Sequence, residues 1–206
     1  MRPIQLLVLT AALTGAAPAA MAIEEPRFET VMQQGAFEVR RYAPYMVAEV
    51  QVAGDFEQAG GRAFRLLANY IFGGNQGQRE MAMTAPVIQA PAPPVKMAMT
   101  APVTQTASDG GWRVQFVLPS DITAANAPVP NNPKVTVREE PARTVAVVRY
   151  SGMWTAANYA EHVALLKESA DKAGLRLQGE PVLSRFNGPL TLPFLRRNEV
   201  WMEVAP

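Results

Sequence analysis

Hydrophobic and polar positions along this chain fall into two periods, and the switches between them set out its elements. Phe28 to Met32 and Phe37 to Tyr42 flank Gln33-Gln34-Gly35, which predicts a hairpin with a short glycine turn, and Tyr45 to Val52 predicts a third strand. Spacing then changes to a helical one. Between residues 56 and 72, Phe56, Ala59, Ala63, Leu66, Leu67, Tyr70 and Ile71 fall on one face and Gln58, Arg62, Arg65 and Asn69 on the other. Asp55 is placed to cap this helix and Gly73-Gly74 to stop it. Further on, Ser108-Asp109-Gly110-Gly111 turns into a strand in which Trp112, Val114, Phe116 and Leu118 alternate. Pro119 to Pro133 reads as a loop and a candidate boundary. A strand over Arg143 to Tyr150 precedes a helix from about Ala156 to Ala173, with Tyr159, Val163, Leu166 and Ala170 as its buried stripe and Gly174 at its end. Strands near Pro181 to Phe186 and Glu199 to Val204 complete the pattern.

Two kinds of self-similarity overlie these elements. Residue n matches residue n+98 at Val39-Arg40 and Val137-Arg138, Val47-Ala48 and Val145-Ala146, Val50 and Val148, Gly54 and Gly152, and Phe56 and Trp154. This offset predicts two βαβ-like halves, hence an α+β fold. The second similarity is local: Glu80 to Gln89 reads EMAMTAPVIQ and Lys96 to Gln105 reads KMAMTAPVTQ, with a proline-rich run between. Alternation in each copy predicts two strands joined by that run, each closing proline confining its end to an edge or bulge. Met81, Met83, Met97 and Met99 then either fill core gaps or line one adaptable apolar pocket.

Composition narrows the setting. Arg2, an apolar run from Ile4 to Leu13 and small residues up to Ala22 form a secretory signal, so residues 1–22 are expected to be removed by cleavage near Ala22. The mature chain, 23–206, is expected to be one soluble domain; in a bacterium its destination would be the periplasm or the medium. That apolar run is too short for a membrane span, and no later segment is longer. There are 19 basic and 18 acidic residues, equal once Arg2 is set aside, and they are interspersed, so no nucleic-acid footprint is visible. Oligomeric state leaves no mark in the sequence.

Catalytic chemistry is sparsely provided. With no cysteine and one histidine, Cys/His nucleophiles and clustered histidine metal sites are excluded, and no catalytic or metal-ligating set is assigned. His162 falls at the edge of the second helix's stripe, the place of a core-margin histidine. One feature of the first helix does suggest binding. Gly60 and Gly61 lie inside it at a cost of about 1 kcal/mol each, and Gly61, Phe64, Ala68 and Phe72 form a second apolar strip bordered by Arg65. Such a strip is either a flank covered by a loop or a surface that faces a ligand.

The MAMTAPV segments, FEVRRYAP at Phe37 to Pro44 and FLRRNEVWMEV at Phe194 to Val204 together resemble the SOUL haem-binding protein family, and the resemblance spans nearly everything after residue 25. It implies a distorted antiparallel β-barrel of two pseudo-symmetric halves flanked by two helices, a plan shared with gyrase-inhibitor-like effector-binding domains. It also implies haem as the cofactor. Where family members use an axial histidine, this chain has Arg41, so the resemblance implies binding without an identified axial ligand. The surfaces it points to are the first helix, here Gly61, Phe64, Arg65, Ala68 and Phe72, and the loop before the last strand, here Leu192, Phe194, Arg196 and Arg197. Arginines there either meet a ligand carboxylate or pair with strand-end carboxylates such as Glu199.

The expected function is therefore non-enzymatic binding of haem or another tetrapyrrole. Three alternatives stay open: a different hydrophobic ligand held by the methionines in a barrel mouth, an enzyme acting on a small ester or tetrapyrrole, and an interaction module without ligand.

Overall fold

Period-two stretches become strands and the two helical stretches become helices in the computed structural model, which describes residues 23–77 and 93–206. In chain order these are β1 (Phe28–Gln34), β2 (Phe37–Tyr42), β3 (Tyr45–Val52), α1 (Phe56–Ile71), β4 (Asn75–Gln76), β5 (Val103–Ser108), β6 (Gly111–Val117), β7 (Val129–Pro130), β8 (Thr136–Glu140), β9 (Arg143–Tyr150), α2 (Ala156–Lys172), β10 (Leu177–Arg185), a 3-10 turn at Pro193–Leu195, and β11 (Asn198–Val204). Asp55 caps α1 by accepting from the Gln58 N–H at 2.8 Å, and Thr155 caps α2 by accepting from Asn158 N–H. Residues 1–22, where a signal is expected, and the first MAMTAPV copy, with Met81 and Met83, lie outside the described residues.

All pairings are antiparallel, and nine strands form one sheet in the order β1-β2-β9-β11-β10-β5-β6-β3-β8. Under the 98-residue offset, β3 falls on β9 and β2 on β8. The strand that opens each half is carried by the other half, β2 pairing with β9 and β8 with β3. The sheet is strongly curved, but it is not the closed barrel the resemblance implied. The two ends of the order, β1 and β8, pair on one side only, β1 with β2 and β8 with β3, and not with each other, so the sheet stays open.

One expected strand is absent. The second motif copy has no strand from Lys96 to Pro102, and β5 begins only at Val103. Its backbone bonds elsewhere: Met97 N–H donates to the Ile71 carbonyl at the end of α1, and Ala101 N–H to that of Glu24. Pro102 has no N–H for a ladder, which delays the strand by the length of the motif.

Both helices pack on the same side of the sheet, α1 on β3 and β6 and α2 on β9, β10 and β11. Under α1, Ala48, Val50, Val114 and Phe116 meet Leu67 and Ile71; under α2, Val39, Ala146, Val148 and Val200 meet Leu166 and Ala170. A side chain such as Leu67, buried completely, contributes about 1.5–3 kcal/mol relative to exposure. Alternation turns the remaining strand residues to the concave face, where Val145, Val147, Val182 and Trp201 form a small apolar cluster beside polar and charged groups. There the Arg40 guanidinium donates to both oxygens of Glu199, at 2.7 and 3.1 Å, with both side chains buried.

Candidate functional site

The α1 strip is built by two adjacent glycines with different tasks. At Gly60 a side chain would run into the Arg185 guanidinium, so this glycine lets Arg185 lie against the helix. At Gly61 a side chain would meet nothing within 4 Å, so this glycine leaves open surface. Next along the helix, Phe64 is half exposed, one side of its ring tilted on Phe116 at 5.4 Å. Ala68 is half-buried, and Phe72, at the C-cap, is 56% exposed. Arg65 beside the strip is exposed and has no hydrogen bond or ion pair among the described residues. No loop among the described residues covers the strip.

Arg185 ties this helix to the loop before β11. It sits at the end of β10 on the helix side of the sheet, donates to Gln105 Oε1 at 2.6 Å, and stacks on Trp154 with its guanidinium carbon 5.2 Å from the ring centroid. Arg196 lies over the same indole at 4.1 Å. No carboxylate pairs with Arg185, and its buried Nε has no hydrogen-bond partner among the described residues. Burial pushes this guanidinium down to about 10, with Tyr150 opposing the shift; it stays charged at neutral pH. A desolvated cation without an anion is unfavourable, and a ligand carboxylate would relieve it.

The loop itself is pinned by its polar groups and shows its apolar ones. Arg196 donates from Nε to the Thr191 carbonyl at 2.8 Å and from Nη2 to that of Pro189 at 2.9 Å, Asn187 accepts from the Arg197 N–H, and the Pro193 carbonyl accepts from the Gly152 N–H. Leu190, Leu192, Phe194 and Leu195 are left exposed, Phe194 at 71%.

The structure thus brings Gly61, Phe64, Arg65, Ala68 and Phe72 onto one helix flank and links that flank to Leu192, Phe194 and Arg196 through Arg185 and Trp154. Arg197 is drawn elsewhere. It bonds Glu199 at 2.9 Å and Glu25 at 2.8 Å and stacks on Phe186, so it follows the strand-end pairing that its sequence neighbours suggested. Met97 is buried under α1 and Met99 is 39% exposed. Neither lines the cavity of about 410 Å³ between Glu24–Arg27, the start of β3 and the end of β6. Arg41 is exposed on β2 and pairs with Glu29. His162 stacks on Tyr150 with centroids 3.8 Å apart, and its Nδ1 is 2.8 Å from the Asn158 carbonyl. Among the described residues no three of His, Asp or Glu gather in a metal-binding group.

Sequence reasoning missed Arg185 and Trp154. The available signal was strand phase: Arg185 lies two residues from Leu183 on β10 and therefore shares its helix-facing side, where an arginine is out of place.

Comparisons with known proteins bear on the family and the fold. Heme-binding protein 1 of Xenopus tropicalis is 27% identical over 167 residues, covering 81% of this chain and 82% of that protein. Human heme-binding protein 2 is 26% identical over 191 residues, covering 89% and 87%. Among solved structures, the EcmrR C-terminal domain superposes with a TM-score of 0.54 at 12% identity, over 82% of this chain and 96% of that one. A hydrolase from Listeria innocua gives 0.54 at 11% identity, over 85% and 94%; these two likenesses concern the fold alone. No helix among the described residues is long and apolar enough to cross a membrane. With the sequence profile of the SOUL heme-binding proteins matching residues 23–203, the chain belongs to the SOUL heme-binding protein family.

Proposed function

We propose that this protein binds haem or another tetrapyrrole reversibly and without catalysis, by laying one face of the ring on the α1 strip. The observation that carries the reading is the pairing of that open strip with Arg185, a half-buried cation that lacks an anion among the described residues. Residues Gly61, Phe64, Ala68 and Phe72 supply the apolar face, and removal of that surface from water supplies most of the affinity. Arg185 and Arg65 supply donors for ring-edge carboxylates, in the fork geometry that suits such groups. Exposed Leu192 and Phe194 add apolar surface from the loop. The residues fit a planar amphipathic acid, and none of them is an iron ligand, so affinity in this reading comes from the ring and its carboxylates. When bound, haem would supply its iron's ligand and redox chemistry; the chain's residues hold and orient the ring. The names of the two vertebrate relatives point to the same ligand class. Export, read from residues 1–22, would place the binding outside the cytoplasm.

The test is an absorbance titration with haemin of the mature protein and of Gly61→Trp, whose side chain enters open space and should leave the fold intact. Saturable binding near micromolar affinity, weakened about tenfold or more by the substitution, is expected. Equal affinity of the two proteins would remove the α1 strip from the site.

A further inference from the structure

A second cavity, of about 280 Å³, opens on the concave face of the sheet, away from both helices. It is lined from β6 by Arg113 and Gln115, from β8 by Arg138, from β9 by Arg143, and from β11 by Trp201. Nothing in the ring-face site uses these residues. Their hydrogen-bond accounts differ in an informative way.

Glu140, in the same wall, is saturated: it accepts from Gln115 at 2.6 Å and pairs with Arg138 and Arg143. Arg138 is also committed to Glu49 at 2.9 Å. Arg143 pairs with Glu140 and Glu203 through one nitrogen and donates to Tyr45 through another, while its Nε is buried and unpartnered. Arg113 is the extreme case. Its side chain has no ion pair or hydrogen bond among the described residues, and its Nε too is buried without a partner. Buried polar groups are nearly always satisfied, so two unspent guanidinium donors in one cavity ask for an acceptor.

From this geometry we propose that the concave cavity is a binding site for a small monocarboxylate, held by Arg113 and the Nε edge of Arg143. Three features choose that class. An Nε–H beside an Nη–H is the fork that takes a carboxylate in two parallel bonds. The indole of Trp201, with the Arg143 guanidinium stacked 4.5 Å from its centroid, makes one wall flat and suits a planar group. Glu140, Glu203 and the exposed Glu180 also border the cavity, and their charges oppose a dianion such as phosphate. The volume is at the small end for ligand pockets, which favours an acid of modest size over a tetrapyrrole. This site is independent of the ring-face reading, because it lies on the opposite side of the sheet.

Calorimetric titration of the mature protein with benzoate, acetate and inorganic phosphate tests it, alongside Arg113→Gln. That variant breaks no side-chain hydrogen bond or ion pair among the described residues, so its melting temperature should stay close to the parent's. Benzoate is expected to bind at one site and to shift the Trp201 indole N–H resonance. In Arg113→Gln, affinity for benzoate should fall about tenfold or more, with haemin binding unchanged. Absence of saturable carboxylate binding up to about 10 mM, equal binding by the variant, or tighter binding of phosphate than of benzoate would each overturn the proposal. If haemin failed to bind the parent protein, the ring-face reading would fall while the benzoate result still decided this one.

Discussion

The two helices lie on the same side of one sheet, but their flanks differ. On α2 the aromatic flank is spent inside the protein: Tyr159 stacks on Phe56 at 4.9 Å and donates to the Pro181 carbonyl, and His162 stacks on Tyr150. On α1 the corresponding kind of surface is left bare by Gly61 and bordered by exposed Phe64 and Phe72. Both helices follow the same rules of capping and core packing, so folding does not account for the difference. What folding does not require of α1, two consecutive glycines and an unpaired arginine, is what binding a flat acid would require.

This contrast can be broken at several points. The largest effect is expected from Gly60→Ala, whose methyl group would displace the Arg185 guanidinium from the helix: haemin affinity should fall by more than about tenfold, while stability in urea unfolding stays within about 1 kcal/mol of the parent, because alanine also improves the helix. Next comes a reciprocal pair. Phe64→Ala should weaken haemin binding about tenfold, whereas His162→Ala should leave haemin affinity within about twofold and cost about 1 kcal/mol of stability through its lost stack. A reversal of those two roles would show that the working surface is on α2. Smaller effects should follow from Arg185→Met. It removes a half-buried cation without an anion among the described residues, so the ligand-free protein should melt no lower than the parent, while haemin binds several-fold more weakly and protoporphyrin dimethyl ester binds equally to both. Retained haemin affinity in this variant would remove Arg185 from the site.

The smallest effect concerns neither helix. Burial alone would raise the Glu140 carboxyl, but the Arg143 charge and hydrogen bonds from Arg138 and Gln115 outweigh it and hold it below its ordinary value of 4.5. A carboxyl depressed in the folded state adds stability above its unfolded value, and that stability is lost as pH falls through the folded one. Melting temperature should therefore drop below about pH 4.5 less steeply in Glu140→Gln than in the parent, with porphyrin binding unaltered.

Much of this was legible in the chain. Period alone located β2, β3, α1, β9 and α2 to within a few residues, and the cost of two helical glycines marked α1 as unusual. Other features depended on partners distant in sequence. Arg40 and Glu199 meet across β9, and no local pattern announces a pair separated by 159 residues. The second MAMTAPV copy alternates like a strand, yet its N–H groups go to Ile71 and Glu24, a choice that only tertiary structure makes. Arg196 and Arg197, adjacent in sequence, separate by strand phase: one braces the loop against Trp154, the other turns to Glu25 and Glu199. The open edge between β1 and β8 was hidden for the same reason, since a strand pattern does not state how many neighbours the strand will have.

The central claim is that ring face and carboxylates, rather than iron, give affinity. Titrating the protein, residues 23–206, with metal-free protoporphyrin and with haemin under the same conditions tests it directly. The account predicts saturable one-to-one binding of both, with affinities within about threefold, a difference of less than 1 kcal/mol. Binding of haemin alone would contradict it and require an iron ligand that the site as described lacks.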